Sequence, residues 1–420
     1  MLKPISLLNR FAVFSALCSL NLLCSTVLAE PVKVKVIHIE GLKDSKKIIL
    51  GNFVVEFQKR YESVKTGFSI MGLGNAGSST TYNDTLLPDP EVLTAITNHM
   101  RELVVKELSA KGFEVIEPAA ITHKDAYEKI LKMYPIKNGT VLPNMDGESV
   151  LYAPDGYQVV VPWGEGCTHF IPKPRTMDLS RLGETLKHAG ATAASGGHAQ
   201  YEAALIEAEG APVLKVWMTV GFGEATAAGG NAAIIDRQKT YWGTATVKQT
   251  VGNSANGAAK AGMFLKPGVT HFAVRTKAAG ITNGSCGISF SRSTMLPPAD
   301  GNVQLQLEEK YVDDGSPVAS LSHQAGTVAV NDTALGNHLV TRMVKENADG
   351  TQAGASAGGN GVKVSLQSTR TSGAVDTKGL GTSLNTQANY VSEIGADLYA
   401  TSAVKMMHDV VQAFVGKLQP

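Results

Sequence analysis

The stretch LLPDPEVLTAITNHMRELVVKELSAKGFEVIEP, Leu86–Pro118, decides the fold class. Leu93, Ile96, Met100, Leu103, Val104 and Leu108 recur at helical spacing and form one apolar stripe, the mark of a helix with a single buried face. Asp89 stands at the N-cap position. Pro90 follows in the first turn, where its missing N–H costs no hydrogen bond. Gly112 stops the helix, and FEVIE (Phe113–Glu117) reads as a strand. Upstream, VKVKVIHIE (Val32–Glu40) alternates apolar and polar residues, and GNFVVEFQKRY (Gly51–Tyr61) sets Phe53, Val55 and Phe57 on one face. Strand, strand, helix, strand predicts a small α/β layer in which the helix covers one sheet face.

Downstream, the pattern turns to strands and loops. KNGTVLP and APDGYQVVVPW carry Asn138-Gly139 and Asp155-Gly156, both hairpin signals. A short helix is expected over Leu179–Ala189, and the following GATAASGGHAQ reads as small and flexible. APVLKVWMTVGF (Ala211–Phe222) predicts a strand with Val216, Met218, Val220 and Phe222 on one face, and another is expected over Tyr241–Thr250. HFAVRTK, CGISFSR, NVQLQLEEKYV and GVKVSLQSTR read as further strands. NADGTQAGASAGGNG (Asn347–Gly361) reads as a mobile hairpin loop. From Val391, a rhythm through Ile394, Leu398, Met407, Val411, Phe414 and Leu418 predicts a closing amphipathic helix packed on the sheet. The expected class is α+β. Residues 1–29 form a leader, 30–120 an α/β domain, 121–210 hairpins and loops, 211–388 a β-rich domain, and 389–420 the final helix.

The N-terminus sets the address. Lys3 and Arg10 precede an apolar run from Phe11 to Cys24, and Val27 and Ala29 stand at −3 and −1 of a cleavage site before Glu30. This is the layout of a secretory signal peptide. No later segment reaches the roughly 18 apolar residues of a spanning helix. Without Lys3 and Arg10, 36 basic residues face 37 acidic ones, and no basic block stands out. That balance argues against a nucleic-acid partner.

Cys167 and Cys286 are the cysteines left after the leader. In an oxidising compartment the pair is expected to be bridged, which closes a long loop and contributes about 4–5 kcal/mol in the chain-entropy model. The sharper alternatives use GEGCTHF. Cys167 with His169 offers a nucleophile and base, but no third group orients them. Glu165, Cys167 and His169 as metal ligands lack a fourth.

Other motifs fail on context. GLGNAG (Gly72–Gly77) matches G-x-G-x-x-G, but SSTTYND follows where a dinucleotide fingerprint needs a helix, so a glycine-rich loop is expected. GASAG (Gly354–Gly358) places Ser356 in a polar tract instead of a strand-to-helix elbow. KTG (Lys65–Gly67) and SAVK (Ser402–Lys405) occur in reversed order for penicillin-binding enzymes. His188 and His198 flank a flexible segment. No catalytic, cofactor-binding or metal-binding residue is therefore assigned.

From VKVKVIHIE through GNFVVEFQ to ELSAKGFEVIE, residues 32–117 resemble small α/β modules of bacterial envelope proteins. The curli-secretion lipoprotein family and the N-terminal domain of TolB-like proteins share this layout. The chain departs from the curli-type family in lacking its lipid-anchoring cysteine. The resemblance implies an envelope protein that assembles with others. The expected function is thus exported and non-enzymatic, in protein binding or assembly, with other envelope proteins or a second copy as partners. A secreted hydrolase with dispersed catalytic residues and a periplasmic small-ligand binder are the alternatives.

Overall fold

A computed structural model describes residues 31–37, 42, 45–66, 75–132, 135–144, 146–160, 195–228, 233–238, 247–252, 256–276, 302–312, 316–324, 328–332, 339–340, 356–375 and 382–418. The first part runs β1 (Val34–Ile37), β2 (Lys47–Thr66), β3 (Asn75–Leu86), α1 (Pro90–Ala110) and β4 (Glu114–Ile116). Then come α2 (Lys124–Leu131), β5 (Pro135–Ile136), β6 (Val141–Asn144), β7 (Gly147–Tyr152), β8 (Val159–Val160) and α3 (Ser195–Glu209). Next are β9 (Val213–Ala228), β10 (Ala233–Gln238), β11 (Val247–Gly252), β12 (Asn256–Leu265), β13 (His271–Arg275) and β14 (Asn302–Leu307). The remainder is β15 (Ala319–Gln324), β16 (Val328–Asp332), β17 (Leu339–Val340), β18 (Ser356–Gly359), β19 (Val362–Val375), β20 (Thr382–Ile394) and α4 (Ala396–Lys417). The class is α+β: a strand-rich mixed sheet with a C-terminal helix.

The main sheet follows the order β1-β14-β13-β9-β2-β3-β20-β19-β17. The 20-residue β2 is its hub. It runs parallel to β4 and β9, and antiparallel to β3 and β7. The parallel β2–β4 pair follows from α1, which crosses over the sheet between them.

The expected α1 stripe is the buried face: Leu93, Ile96, Met100, Val104 and Leu108 enter the core. Asp89 occupies the N-cap position, but its side chain makes no capping bond; its carbonyl accepts from Val92 and Leu93 instead. Gly112, at φ +96°, ends the helix in a Schellman turn. There the Phe113 amide returns to the Leu108 carbonyl at 3.1 Å, and the Gly112 amide to Ser109 at 3.0 Å. Helix α4 packs on the same core. Tyr399 lies between Phe57 and Phe222, with ring centroids 6.3 and 6.4 Å away, and Phe414 meets Phe272 edge-on at 5.0 Å. A second core, beneath α2 and α3, gathers Ile49, Ile121, Ile130, Val160, Leu205, Ile206 and Val213.

Several local expectations are corrected. Val391 and Ile394 belong to β20, and the helix begins only at Ala396. The period-two burial of Ala388, Tyr390 and Ser392 decides that segment. GLGNAG does not end in a loop: Asn75 opens the twelve-residue strand β3. From Ser79 on, its inward face is polar, with Ser79, Thr81, Asn83 and Thr85 all buried, so hydrophobic alternation could not reveal it. These side chains fit because the facing strands carry glycines. A Cβ on Gly257 would lie 2.7 Å from Thr81 Oγ1, and one on Gly223 2.7 Å from Asn83 Nδ2.

Asn138-Gly139 and Asp155-Gly156 are turns, but neither closes a hairpin. Asn138-Gly139 joins β5 to β6, and β5 pairs with β8 while β6 pairs with β7. The β6–β7 hairpin instead closes on the Asn144–Gly147 pair, and the φ of +146° at Gly147 and its tight approach to the Arg60 carbonyl admit only glycine. The stretch 347–361, expected as one hairpin loop, is corrected where it is described: Ser356–Gly359 is strand β18, and Asn360-Gly361, both at positive φ, turn it into β19, while 347–355 lie outside the described residues. Part of GATAASGGHAQ lies in α3, held by Leu205 and Ile206 further along the helix. The helix expected over Leu179–Ala189 and the strand CGISFSR lie outside the described residues.

Candidate functional site

The edge strand β1 is one of the surfaces open to a partner among the described residues. Among the described residues it pairs only with β14, antiparallel, in the register Val34↔Leu307 to Ile37↔Gln304. The Glu308 amide donates to the Lys33 carbonyl at 3.0 Å. In an antiparallel ladder, residues alternate between those that bond their direct opposite and those that do not. Lys33 therefore fixes the parity. Lys35 and Ile37 face β14 with their peptide groups, and the N–H and C=O of Val34 and Val36 point away from it. The side chains alternate as well. Val34 packs partly on the core, and Val36 is 37% exposed. On the opposite face, Lys33 pairs with Glu309 at 2.7 Å. Lys35 is exposed and enters no ion pair recorded among the described residues. Two other edges are blunted. Among the described residues β6 pairs only with β7 and contains Pro143, and β5 pairs only with β8 and contains Pro135. Proline withholds the donor that an added strand needs. Among the described residues β1 has no such guard.

Beneath the sheet lies a buried polar knot. Glu56 on β2 is fully buried within the apolar run NFVVEF. Its carboxylate accepts from Trp217 Nε1 at 3.1 Å, Thr219 Oγ1 at 3.0 Å and Asn144 Nδ2 at 3.1 Å. Asn144 also donates to Ser149 Oγ at 2.6 Å, and its own Oδ1 receives the Asp146 amide. The knot ties β2, β9 and the β6–β7 hairpin together. Glu56 is wholly buried, and each donor offsets part of the cost of burying the carboxylate.

Helix α3 is anchored by two further carboxylates. Glu202, buried, meets Lys215 at 2.8 Å and Arg275 at 3.5 Å, joining the helix to β9 and β13. Glu209 caps α2 from outside: its Oε1 receives the amides of Thr122 and His123, at 2.8 and 2.7 Å, and the Thr122 hydroxyl at 2.8 Å. Burial acts to raise the Glu209 pKa, but these bonds outweigh it and hold the carboxyl below its usual value. The alternation of sequence patterns did not mark these acids. The signal available was a single acidic residue inside an apolar strand run, as at Glu56.

Cys167, Cys286, Glu165, His169 and His188 lie outside the described residues. His198 lies in α3. Ser356 opens β18, exposed, and runs into a hairpin turn. Lys65 and Thr66 close β2, and Ser402 is buried in α4, so the structure assigns KTG and SAVK to separate elements. Among the described residues no group of three or more His, Cys, Asp or Glu stands ready for a metal, and no helix is long and apolar enough to cross a membrane. No protein-family model matches the chain, and no curated protein matches it significantly.

Proposed function

We propose that this chain is an exported protein of the bacterial envelope that works without catalysis, by binding and assembling with other proteins. The observation that carries the reading is the edge of β1, unpaired on one side among the described residues, where Val34 and Val36 turn their peptide groups outward beside an exposed valine and lysine. Such an edge adds strands through main-chain hydrogen bonds, the mode of β-augmentation. The signal-peptide layout of residues 1–29 supports export, and the resemblance of residues 32–117 to envelope modules supports the class of partner. In this setting Cys167 and Cys286 form a disulfide.

Export and bridge are tested together on protein recovered from the periplasm of the native host. N-terminal sequencing is expected to begin at Glu30, and intact mass after alkylation to show no free thiol until reductant is added. Protein that retains Met1 in the cytosol, with two reactive thiols, would overturn the reading.

A further inference from the structure

Building on that function, we propose that β1 docks an extended segment of another protein whose side chains alternate acidic and apolar, and that it does not pair with a second copy of itself. The parity set by the Lys33–Glu308 bond leaves the outward hydrogen bonds to Val34 and Val36. An incoming strand shares the faces of β1 residue by residue. Positions across from Val34 and Val36 lie over the apolar face, where Val36 is 37% exposed. Positions across from Lys35 lie beside an exposed cation with no recorded ion pair among the described residues. An acidic side chain there gains charge complementarity; a basic one meets a like charge.

The same geometry rejects self-pairing. A two-fold antiparallel pair of β1 strands must match like faces. It therefore sets Lys35 across from Lys35, or from Lys33, in the two registers that put both Val34 and Val36 across from valines; the register that pairs Val36 with Val36 alone sets Lys35 across from Ile37 and gains no charge complement. Like charges directly opposed destabilise a strand pair. Lysine on an edge also discourages indiscriminate association, so one side chain both disfavours the homodimer and selects the partner by charge.

The test uses the purified mature protein and two short synthetic peptides, one alternating glutamate and valine, the other lysine and valine. Saturable binding of the glutamate peptide is expected, weakening as salt is raised. Val36→Pro removes an outward N–H and spares the β14 ladder. It is expected to weaken that binding about tenfold while leaving the melting temperature unchanged. Lys35→Glu is expected to reverse the preference between peptides. Equal binding of both peptides, or a full response in the Val36→Pro variant, would overturn the proposal, as would a β1-dependent dimer. Failure of the broader reading looks different. A native complex that persists with Val36→Pro retires the edge alone, whereas a wild-type protein that forms no complex retires the assembly function.

Discussion

Trp217 donates its indole N–H to the carboxylate of Glu56 at 3.1 Å, and neither residue has appreciable contact with solvent. The bond crosses from β9 to β2 at the centre of the sheet, where the two strands run parallel. A buried carboxylate is costly unless its lone pairs are filled. Trp217→Phe keeps most of the ring's packing but leaves Glu56 one donor short. The expected loss is about 1–3 kcal/mol. It is measured as a lower urea midpoint with an unchanged slope. An unchanged midpoint would show that the bond contributes nothing net.

The ring of Tyr399 packs between Phe57 and Phe222, and its buried hydroxyl has no hydrogen-bond partner among the described residues. Burial pushes its pKa well up. Removing an unsatisfied polar group from a core is favourable. Tyr399→Phe is therefore expected to raise stability by about 1 kcal/mol, read from the same denaturation curve. A clear loss would mean the hydroxyl is bonded.

Close approach of strands is the next point of sensitivity. A Cβ on Gly221 would sit 2.1 Å from the ring of Phe264, whereas one on Gly359 would meet nothing within 4 Å. Gly221→Ala is expected to cost about 1–3 kcal/mol through overpacking, with Gly359→Ala near neutral. Equal melting temperatures for the two variants would contradict the account.

Acid should loosen the α2–α3 pair. The Glu209 carboxyl is held below its usual pKa by the amides of Thr122 and His123 and the Thr122 hydroxyl. A depressed folded pKa means that the ionised form is favoured on folding. That contribution is complete above the unfolded value and is lost as pH falls through the folded one. Melting temperature followed from neutral pH down through the carboxylate range should fall more steeply in the wild type than in Glu209→Gln. Parallel curves would remove Glu209 as a cause.

What the sequence made legible follows from how each element is stabilised. Helix α1 shows because its buried face is wholly apolar and Gly112 ends it. Strands β2 and β9 show because Phe53, Val55, Val216 and Met218 alternate. β3 and β20 stay hidden because many of their inward residues are polar, Ser79, Thr81, Asn83, Thr386 and Ser392 among them, with Thr81 and Asn83 accommodated by Gly257 and Gly223 far away in the chain. No local pattern reports a partner that distant. The turns at Asn138 and Asp155 were visible, but which strands they connect in space was set by the sheet order. The edge at β1 was legible only as alternation; its outward parity needed the bond to Glu308.

Association is the central claim, and particle size tests it most directly. Envelope and periplasm from the native host, gently solubilised, are separated on a size column while this protein is followed by antibody. The account predicts elution in a complex well above monomer size, with partners co-eluting. A monomer-sized species confined to the soluble periplasm would contradict it.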